Sequence, residues 1–397
     1  MYNFVVFVAV LFVLAAVLQV NFFFTIAYFF AGIYIVSRIW SKRVVKQLSM
    51  RRDLTQRAFL GDEIDVTLTL ENRGWLPIPW LMIHDPYPLD LAATPLFKQV
   101  IRMQGHAVQR FHYRLRARRR GYYEIGPLRA DAGDLLGLHH WQRDAVPAEY
   151  VIVYPKMQPI AKLPLPTHSP QVVLPTALPI FEDPARLMGV RDYAWGDNPR
   201  YIHWTATAAT GQTLVKQFEP AIARETALFL NMARDDYDRS EQRTGIELAI
   251  TVAASLARHM VMVEKLPVGL HTMALDPLTN AVQQFSLPPH KEQGQLLRIL
   301  DVLARIESVE ADQAVMTFSE WVQQQSVHLS WGATLMILTN QLSEPLLQVL
   351  QGARQGGLKP ALVLVRGNRA HPAIRQLNFP VFDIWEEQDI ERWPRVA

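Results

Sequence analysis

Regular alternation of apolar and polar residues gives the clearest structural signal in the chain. Apolar residues occupy every second position from Ile64 to Leu70, with polar residues between them. This period of two is typical of a half-buried β-strand. Residues 111–118 repeat the pattern, and short apolar runs follow at 123–128 and 151–154. We therefore predict an all-β, sandwich-like domain over residues 58–155.

Two long apolar runs precede this domain. Residues 2–18 and 22–40 are almost entirely apolar, and each is close to the length of roughly 17–25 residues that a helix needs to cross a bilayer. A cleaved signal peptide is the alternative, but it requires a basic region before the run and a small-residue cleavage site after it. Neither is present, so we predict a transmembrane helical hairpin over residues 1–40.

A basic segment, predicted to lie next to the membrane at residues 41–57, follows the hairpin. Residues 38–57 contain seven basic residues and one acidic residue, a net charge of +6, whereas the whole chain carries only +3. Residues 58–397 therefore carry −3, which argues against a general nucleic-acid-binding role. The positive-inside rule predicts that the basic flank is cytoplasmic. We expect two spans in the bacterial inner membrane, with both termini in the cytoplasm.

The C-terminal half has a different period. Eight prolines fall between Pro155 and Pro184, which predicts an extended linker over residues 156–184. From residue 227 onward, short buried apolar runs alternate with helix-period segments. This alternation is typical of a mostly parallel sheet covered on both faces. We predict an α/β doubly wound domain over residues 185–397.

The densest mixture of side-chain chemistry lies between these regions. Residues 189–204 read GVRDYAWGDNPRYIHW, and a Lys and a Glu follow at positions 216 and 219. The residues from Gly196 to Pro199 strongly predict a turn, because Gly tolerates positive φ, Asp and Asn bond nearby backbone, and Pro fixes φ.

One interpretation of this segment is a structural clasp. Asp197 and Arg200 are three residues apart across the turn, close enough for a charge-assisted pair. Ile202 and Trp204 share the parity of a half-buried strand, which would make Trp204 a core residue.

Two functional interpretations stay open beside the clasp. The first is an exposed docking surface around Arg191, Tyr193 and Arg200. The second is a catalytic site that uses Asp192, Asp197 and His203, although a lone His between two apolar residues is more often a packing residue than a general base.

The pattern G-x-R-x-Y-x-x-G-D-x-x-R-x-I-x-W resembles the centre of the domain-of-unknown-function 58 family of bacterial membrane-associated proteins. The chain departs from the family at residues 205–209, which read TATAA where basic residues are usual. The resemblance implies a C-terminal domain similar to a von Willebrand factor A domain. It also implies partnership with a MoxR-type AAA+ ATPase and with a transglutaminase-like membrane protein. The candidate interaction residues are Gly189, Arg191, Tyr193, Gly196, Asp197, Arg200, Ile202, His203, Trp204, Lys216 and Glu219.

The metal motif of von Willebrand factor A domains is degenerate in this chain. The matching positions hold Asn231, Ala233 and Asp235, so that one position cannot ligate and another has lost its charge. We predict no metal and no cofactor. The chain also contains no cysteine, which excludes thiolate catalysis.

The function predicted from these features is that of a membrane-tethered cytoplasmic adaptor, not an enzyme. Its expected partner is a MoxR-type AAA+ ATPase, and its expected role is in assembly or maturation of envelope proteins. The alternative is a hydrolase that acts through Asp197 and His203. An enzyme needs a concave pocket that joins those two side chains, whereas an adaptor needs an exposed patch.

Overall fold

The computed structural model describes residues 2–18, 21–92, 96–133, 140–161, 163, 182–220, 225–239, 241–310, 312–367, 374 and 377–394. The chain divides into two compact units. The first comprises Met1–Lys156 and Leu300–Ile306, and the second comprises Met157–Ile299 and Glu307–Ala397. Most of the predicted proline-rich linker, residues 164–181, lies outside the described residues.

Two apolar helices open the first unit: α1 (Tyr2–Leu18) and α2 (Asn21–Gln47). Many of their large apolar side chains are exposed. In the described part of the chain, Asn21–Val44 and Gln242–Glu264 are long and apolar enough to cross a membrane, but the second of these is mostly buried within the protein. The predicted apolar helical region at the N-terminus is confirmed, and α2 contains its candidate membrane span.

Among the described residues of the first unit, ten strands form three sheets. The strands are β1 (Leu48–Leu54), β2 (Arg57–Phe59), β3 (Glu63–Asn72), β4 (Ile78–Pro86), β5 (Leu96–Met103), β6 (Val108–Arg116), β7 (Gly121–Ile125), β8 (Leu128–Gly133), β9 (His140–Val146) and β10 (Glu149–Tyr154). The sheet orders are β1-β3-β6, β2-β10-β7 and β5-β4-β8-β9. The prediction of a mostly β-sheet region is confirmed.

The alternation that predicted β3 reflects its burial. Ile64, Val66, Leu68 and Leu70 are all fully buried in one apolar cluster. Strand β3 pairs antiparallel with both β1 and β6. Strand β1 begins at Leu48, directly after the last residue of α2, so regular structure continues into the segment predicted to be juxtamembrane.

A buried arginine in β1 joins the three sheets. Arg52, whose side chain is 0% exposed, donates to Asp85 of β4 at 2.7 Å and to Glu149 of β10 at 3.0 Å. Tyr113 of β6 donates its hydroxyl to Asp85 at 2.8 Å. Burial raises the pKa of Asp85, and the Arg52 guanidinium opposes that shift. Arg52 is therefore a buried core charge, although it contributes to the net charge of the segment predicted to lie next to the membrane.

The remaining elements alternate between strand and helix. They are β11 (Glu182–Asp192), α3 (Trp204–Thr210), β12 (Leu214–Pro220), β13 (Thr226–Leu230), α4 (Gln242–Arg258), β14 (Val268–Asp276), β15 (Ala281–His290), α5 (Gln293–Arg305), α6 (Phe318–Ser326), β16 (Thr334–Thr339), α7 (Glu344–Gln355), β17 (Lys359–Val365), β18 (Val381–Ile384) and α8 (Asp389–Arg392). Helix α4 continues as a π-helical turn, His259–Glu264.

A six-stranded mixed sheet of order β15-β14-β13-β16-β17-β18 forms the core of the second unit. All neighbours pair in parallel except β14 and β15. Phe229 of β13 belongs to one apolar cluster with Val322 of α6 and Leu346 of α7. Helix α4 contacts β13, β16 and β17. The prediction of an α/β region with a mostly parallel sheet is confirmed.

His271 of β14 is a buried histidine in this sheet. Its ring stacks on Phe229 with centroids 4.7 Å apart, and its Nδ1 lies 3.0 Å from the Ser286 hydroxyl. Burial lowers its pKa to about 4. The imidazole is consequently neutral near pH 7, and protonation must act against folding.

Removing Arg52 should destabilise the first unit strongly. In Arg52→Ala the Asp85 carboxylate keeps its buried position but loses its cation, which we expect to lower the free energy of unfolding by about 3–5 kcal/mol. The matched control is Arg51→Ala, because Arg51 pairs with Asp53 at the surface. We expect that change to cost less than about 1 kcal/mol. Urea unfolding of the detergent-solubilised chain measures both, and similar losses would contradict the buried role of Arg52.

Acid should destabilise the second unit through His271. Because its folded pKa of about 4 lies below the ordinary 6.5, its stabilising effect is complete above pH 6.5 and is lost as the pH falls towards 4. We expect a loss of about 2.5 kcal/mol at pH 4.5 relative to pH 7 from this residue alone. His271→Gln, which cannot take up the proton, should lose correspondingly less. Thermal unfolding at both pH values tests this, and identical losses in both proteins would contradict it.

Candidate functional site

The signature segment forms a small lobe built on a two-stranded ribbon. Strands β11 and β12 pair antiparallel, with Gly189 opposite Gln217 beside a register shift and with Val190 opposite Lys216. A 3-10 turn over Pro199–Tyr201 and helix α3 connect the two strands. We call residues 187–217 the signature lobe. The side chain of Glu219 lies outside the described residues.

A bidentate ion pair closes the turn at the tip of the lobe. The two terminal nitrogens of Arg191 each donate to a different carboxylate oxygen of Asp197 at 2.7 Å. The backbone N–H of Ala194 donates to the same carboxylate at 2.8 Å. Hydrogen bonds from Arg191, and then from Ala194, lower the pKa of Asp197 below its ordinary value. Asp197 is therefore held as an anion with Arg191, and not with Arg200 as the clasp interpretation expected.

The turn itself places Trp195 at its outermost corner. The Asp197 N–H donates to the Ala194 carbonyl at 3.0 Å, which closes a four-residue turn. Gly196, at the third position, has a φ of +106°, a conformation that side-chain-bearing residues rarely adopt. The second position is Trp195, whose side chain is fully exposed. The Arg191–Asp197 pair thus presents an indole ring to solvent on a fixed turn.

His203 caps a helix in this lobe. Its ring Nδ1 accepts a hydrogen bond from the Ala206 backbone N–H at 3.1 Å, and the His203 backbone N–H donates to the Leu214 carbonyl at 2.8 Å. Because Nδ1 accepts, the neutral ring carries its proton on Nε2 and has no free lone pair there. His203 is consequently a poor candidate for a general base. Asp197 and His203, the two residues of the alternative hydrolase hypothesis, both make hydrogen bonds that hold the local backbone in place.

Trp204 and Ile202 do not continue a strand. Ile202 forms a single antiparallel bridge to Val215, and Trp204 begins helix α3 directly after the His203 cap. Trp204 is 70% exposed, so the expectation that it is a core residue is wrong. Ile202 and Trp204 were predicted to share one face of a strand, but His203 between them is the N-cap of helix α3, so the strand does not continue to Trp204.

The lobe exposes aromatic side chains beside an exposed arginine. Tyr193 and Tyr201 are exposed together with Trp195 and Trp204, and Arg200 is exposed between them in sequence. The Asn198 side chain accepts from the Arg200 backbone N–H at 3.1 Å, which fixes the start of the 3-10 turn. An anchored lobe that exposes Trp, Tyr and Arg has the composition typical of protein-binding hot spots.

The predicted degenerate metal positions lie at the carboxyl end of β13. Asn231 donates through its amide to Asp236 at 2.6 Å and to Thr339 at 3.0 Å, and its amide oxygen accepts from the Ala233 N–H. Asp235 is exposed and does not join this group. The Asn231 amide already binds the oxygens that a divalent cation would need. Within the described ranges, no group of three or more His, Cys, Asp or Glu side chains could hold a metal ion.

Sequence reasoning missed several residues that matter here. Asp236 and Thr339 complete the polar group at the sheet end, but their partner Asn231 is far away in sequence from Thr339. Trp195 was inside the signature and was not selected. Its position directly before a glycine in a predicted turn could have predicted that the side chain is exposed, because turns lie at the protein surface.

The comparisons with known proteins give a relative and weak structural similarities. The uncharacterized protein YeaD of Bacillus subtilis (strain 168) is 26% identical over 334 residues, which cover 81% of this chain and 76% of YeaD. A CARDB domain from Pyrococcus furiosus in complex with di-metal ions is 10% identical, covering 27% of this chain and 86% of its own, with a TM-score of 0.21. A chain from the complex of zinc 2-glycoprotein with prolactin inducible protein, from human seminal plasma, is 11% identical. The match covers 26% of this chain and 93% of that chain, with a TM-score of 0.21. These TM-scores are too low to support any argument.

The family match covers the signature lobe and most of the six-stranded sheet. The family described as "Protein of unknown function DUF58" matches residues 189–364, from the start of the signature to strand β17. Together with the similarity to YeaD, this match supports the resemblance to the DUF58 family over the signature and the sheet that follows it.

Proposed function

We propose that this protein is a membrane-tethered cytoplasmic interaction protein whose signature lobe docks a partner. Helices α1 and α2 cross the bacterial inner membrane as a hairpin, and both termini are cytoplasmic. The observation that carries the docking proposal is the fully exposed Trp195 on a turn fixed by the Arg191–Asp197 pair.

The membrane tether is supported by the surface of the two helices. Phe7 contacts Phe30, and Phe12 contacts both Phe24 and Tyr28, so aromatic rings hold the helices together. Large apolar side chains such as Phe29 remain exposed on the outside. A helix pair that is apolar both inside and outside matches a hydrocarbon environment better than water.

The docking role is supported by the chemistry and rigidity of the lobe. Trp, Tyr and Arg are enriched among the residues that contribute most of the binding energy at protein interfaces. Trp and Tyr bury a large area at a small entropic cost, and Arg offers five hydrogen-bond donors. Trp204 stands on a helix capped by His203, and Gly211 ends that helix in a left-handed conformation. A surface held in place in this way loses little conformational entropy on binding.

The partner we propose is a MoxR-type AAA+ ATPase, with a transglutaminase-like membrane protein as a second partner in envelope protein assembly or maturation. This identity rests on the family resemblance of the signature. We also propose that the six-stranded sheet and its helices form a von Willebrand factor A-like domain. The parallel pairing of β14, β13, β16, β17 and β18 is compatible with that architecture.

The hairpin can be tested by topology mapping. We expect reporters fused before Met1 and after Ala397 to be cytoplasmic, because four exposed cations, Arg38, Lys42, Arg43 and Lys46, follow the apolar part of α2. A reporter inserted between residues 19 and 20 should be periplasmic and serves as the internal control. A periplasmic C-terminal reporter would contradict the hairpin.

The docking surface can be tested by capture of the ATPase. Trp195→Ala and Trp204→Ala remove exposed rings, so we expect the melting temperature to stay within a few degrees while capture of a purified MoxR-type ATPase falls by roughly tenfold or more. The matched control is Trp75→Ala, which removes a similarly exposed tryptophan from the first unit. Retained capture by both lobe variants, with normal melting, would contradict docking at this lobe.

A further inference from the structure

The first unit carries an exposed tryptophan, Trp75, in a loop beside helix α2. The loop covers residues 73–77, between β3 and β4. The indole N–H of Trp40 donates to the Pro77 carbonyl at 3.1 Å, and the Arg73 N–H donates to the Gln47 carbonyl at 3.0 Å. The loop is therefore bound to the last two turns of α2.

Trp40 fixes the level of this loop relative to the apolar part of the helix. It lies 19 residues after Asn21, the first residue of α2. At 1.5 Å per residue this distance is about 29 Å, close to the thickness of roughly 30 Å of a bilayer hydrocarbon core. A helix that begins at one membrane surface with Asn21 reaches the other with Trp40, where tryptophans commonly lie among lipid headgroups.

The charges around the loop favour an anionic surface. Arg38, Lys42, Arg43 and Lys46 are exposed along α2, and Arg73 is exposed in the loop. No acidic residue occurs before Asp53. Glu71, in the strand that leads into the loop, is paired with Arg73 at 2.9 Å. The surface next to Trp40 is therefore cationic, as anionic headgroups require.

The loop is built to hold Trp75 outward. The Asn72 amide donates to the carbonyls of Leu76 and Gln104 at 2.8 and 2.9 Å, and its oxygen accepts from the Gly74 N–H. Gly105 lies so close to the Trp75 backbone that a Cβ there would stand 2.2 Å from the Trp75 carbonyl oxygen. Despite this fixed backbone, the Trp75 side chain is 67% exposed.

We propose that this loop and the basic end of α2 form a lipid-docking surface. Trp75 inserts among the headgroups of the cytoplasmic leaflet, and the four exposed cations of α2 bind anionic phospholipid headgroups. This inference rests on the membrane tether proposed above and adds a second point of contact. Two contacts, the α1–α2 hairpin and the loop, together fix the orientation of the β-sheet region against the membrane.

The absence of cysteine makes the test direct. Trp75→Cys and Arg73→Cys are labelled with an environment-sensitive fluorophore in the full chain and reconstituted into vesicles of phosphatidylcholine with phosphatidylglycerol. Lipids with a spin label near the headgroup act as quenchers. Arg73→Cys keeps the tryptophan, and Trp75→Cys reports from the inserted position itself. Leu89→Cys is the matched control, because Leu89 is 62% exposed and follows the far end of β4.

We expect quenching at positions 73 and 75 to exceed that at position 89 by roughly threefold, since β4 separates the sites by about 27 Å along the strand. Replacing Lys42 and Arg43 with Gln, or omitting phosphatidylglycerol, should reduce the difference. Equal, weak quenching at all three positions in vesicle-bound protein would overturn the docking surface and leave the tether intact. Failure of the protein to float with vesicles would overturn both.

Discussion

The need to neutralise one buried guanidinium organises the first unit. Arg52 in β1 binds Asp85 in β4 and Glu149 in β10, and Asp85 also binds Tyr113 in β6. These four strands come from all three sheets. An unpaired buried charge is so unfavourable that each sheet must keep its place relative to the others. The charge therefore specifies the arrangement more than it adds to the stability.

In the second unit, the Arg191–Asp197 ion pair lies near the surface and holds the turn that exposes Trp195. The Arg191–Asp197 pair is partly exposed, so its contribution to the free energy of unfolding is small. Its effect is geometric, because it closes the turn that carries Trp195 and leaves the ring free. The charged and the aromatic residues of the signature have different roles. Arg191, Asp197 and Gly196 shape the turn, and the aromatic residues form its surface.

The sequence predicted the parts of this structure that depend on local pattern. The strands predicted from the alternation around Ile64 and from the apolar run of β13 are both present. Each pattern is visible in the sequence because burial on one face, or on both faces, repeats along a strand. Pairings between residues that are far apart in the chain could not be predicted from the sequence. Arg52 looked like a juxtamembrane cation because its partners are 33 and 97 residues away. Asp197 was assigned to the nearer Arg200, although Arg191 reaches it across the turn from six residues away.

The direct junction between α2 and β1 has a mechanical consequence. The helix ends at Gln47 and the strand begins at Leu48, with no residue between them to serve as a hinge. Flexible linkers absorb force by extending, whereas a helix joined to a hydrogen-bonded strand transmits it. Torque applied to the β-sheet region would be passed to α2 as tilt. The junction is also braced from the side, because the Trp40 indole N–H donates to the Pro77 carbonyl and the Arg73 N–H donates to the Gln47 carbonyl.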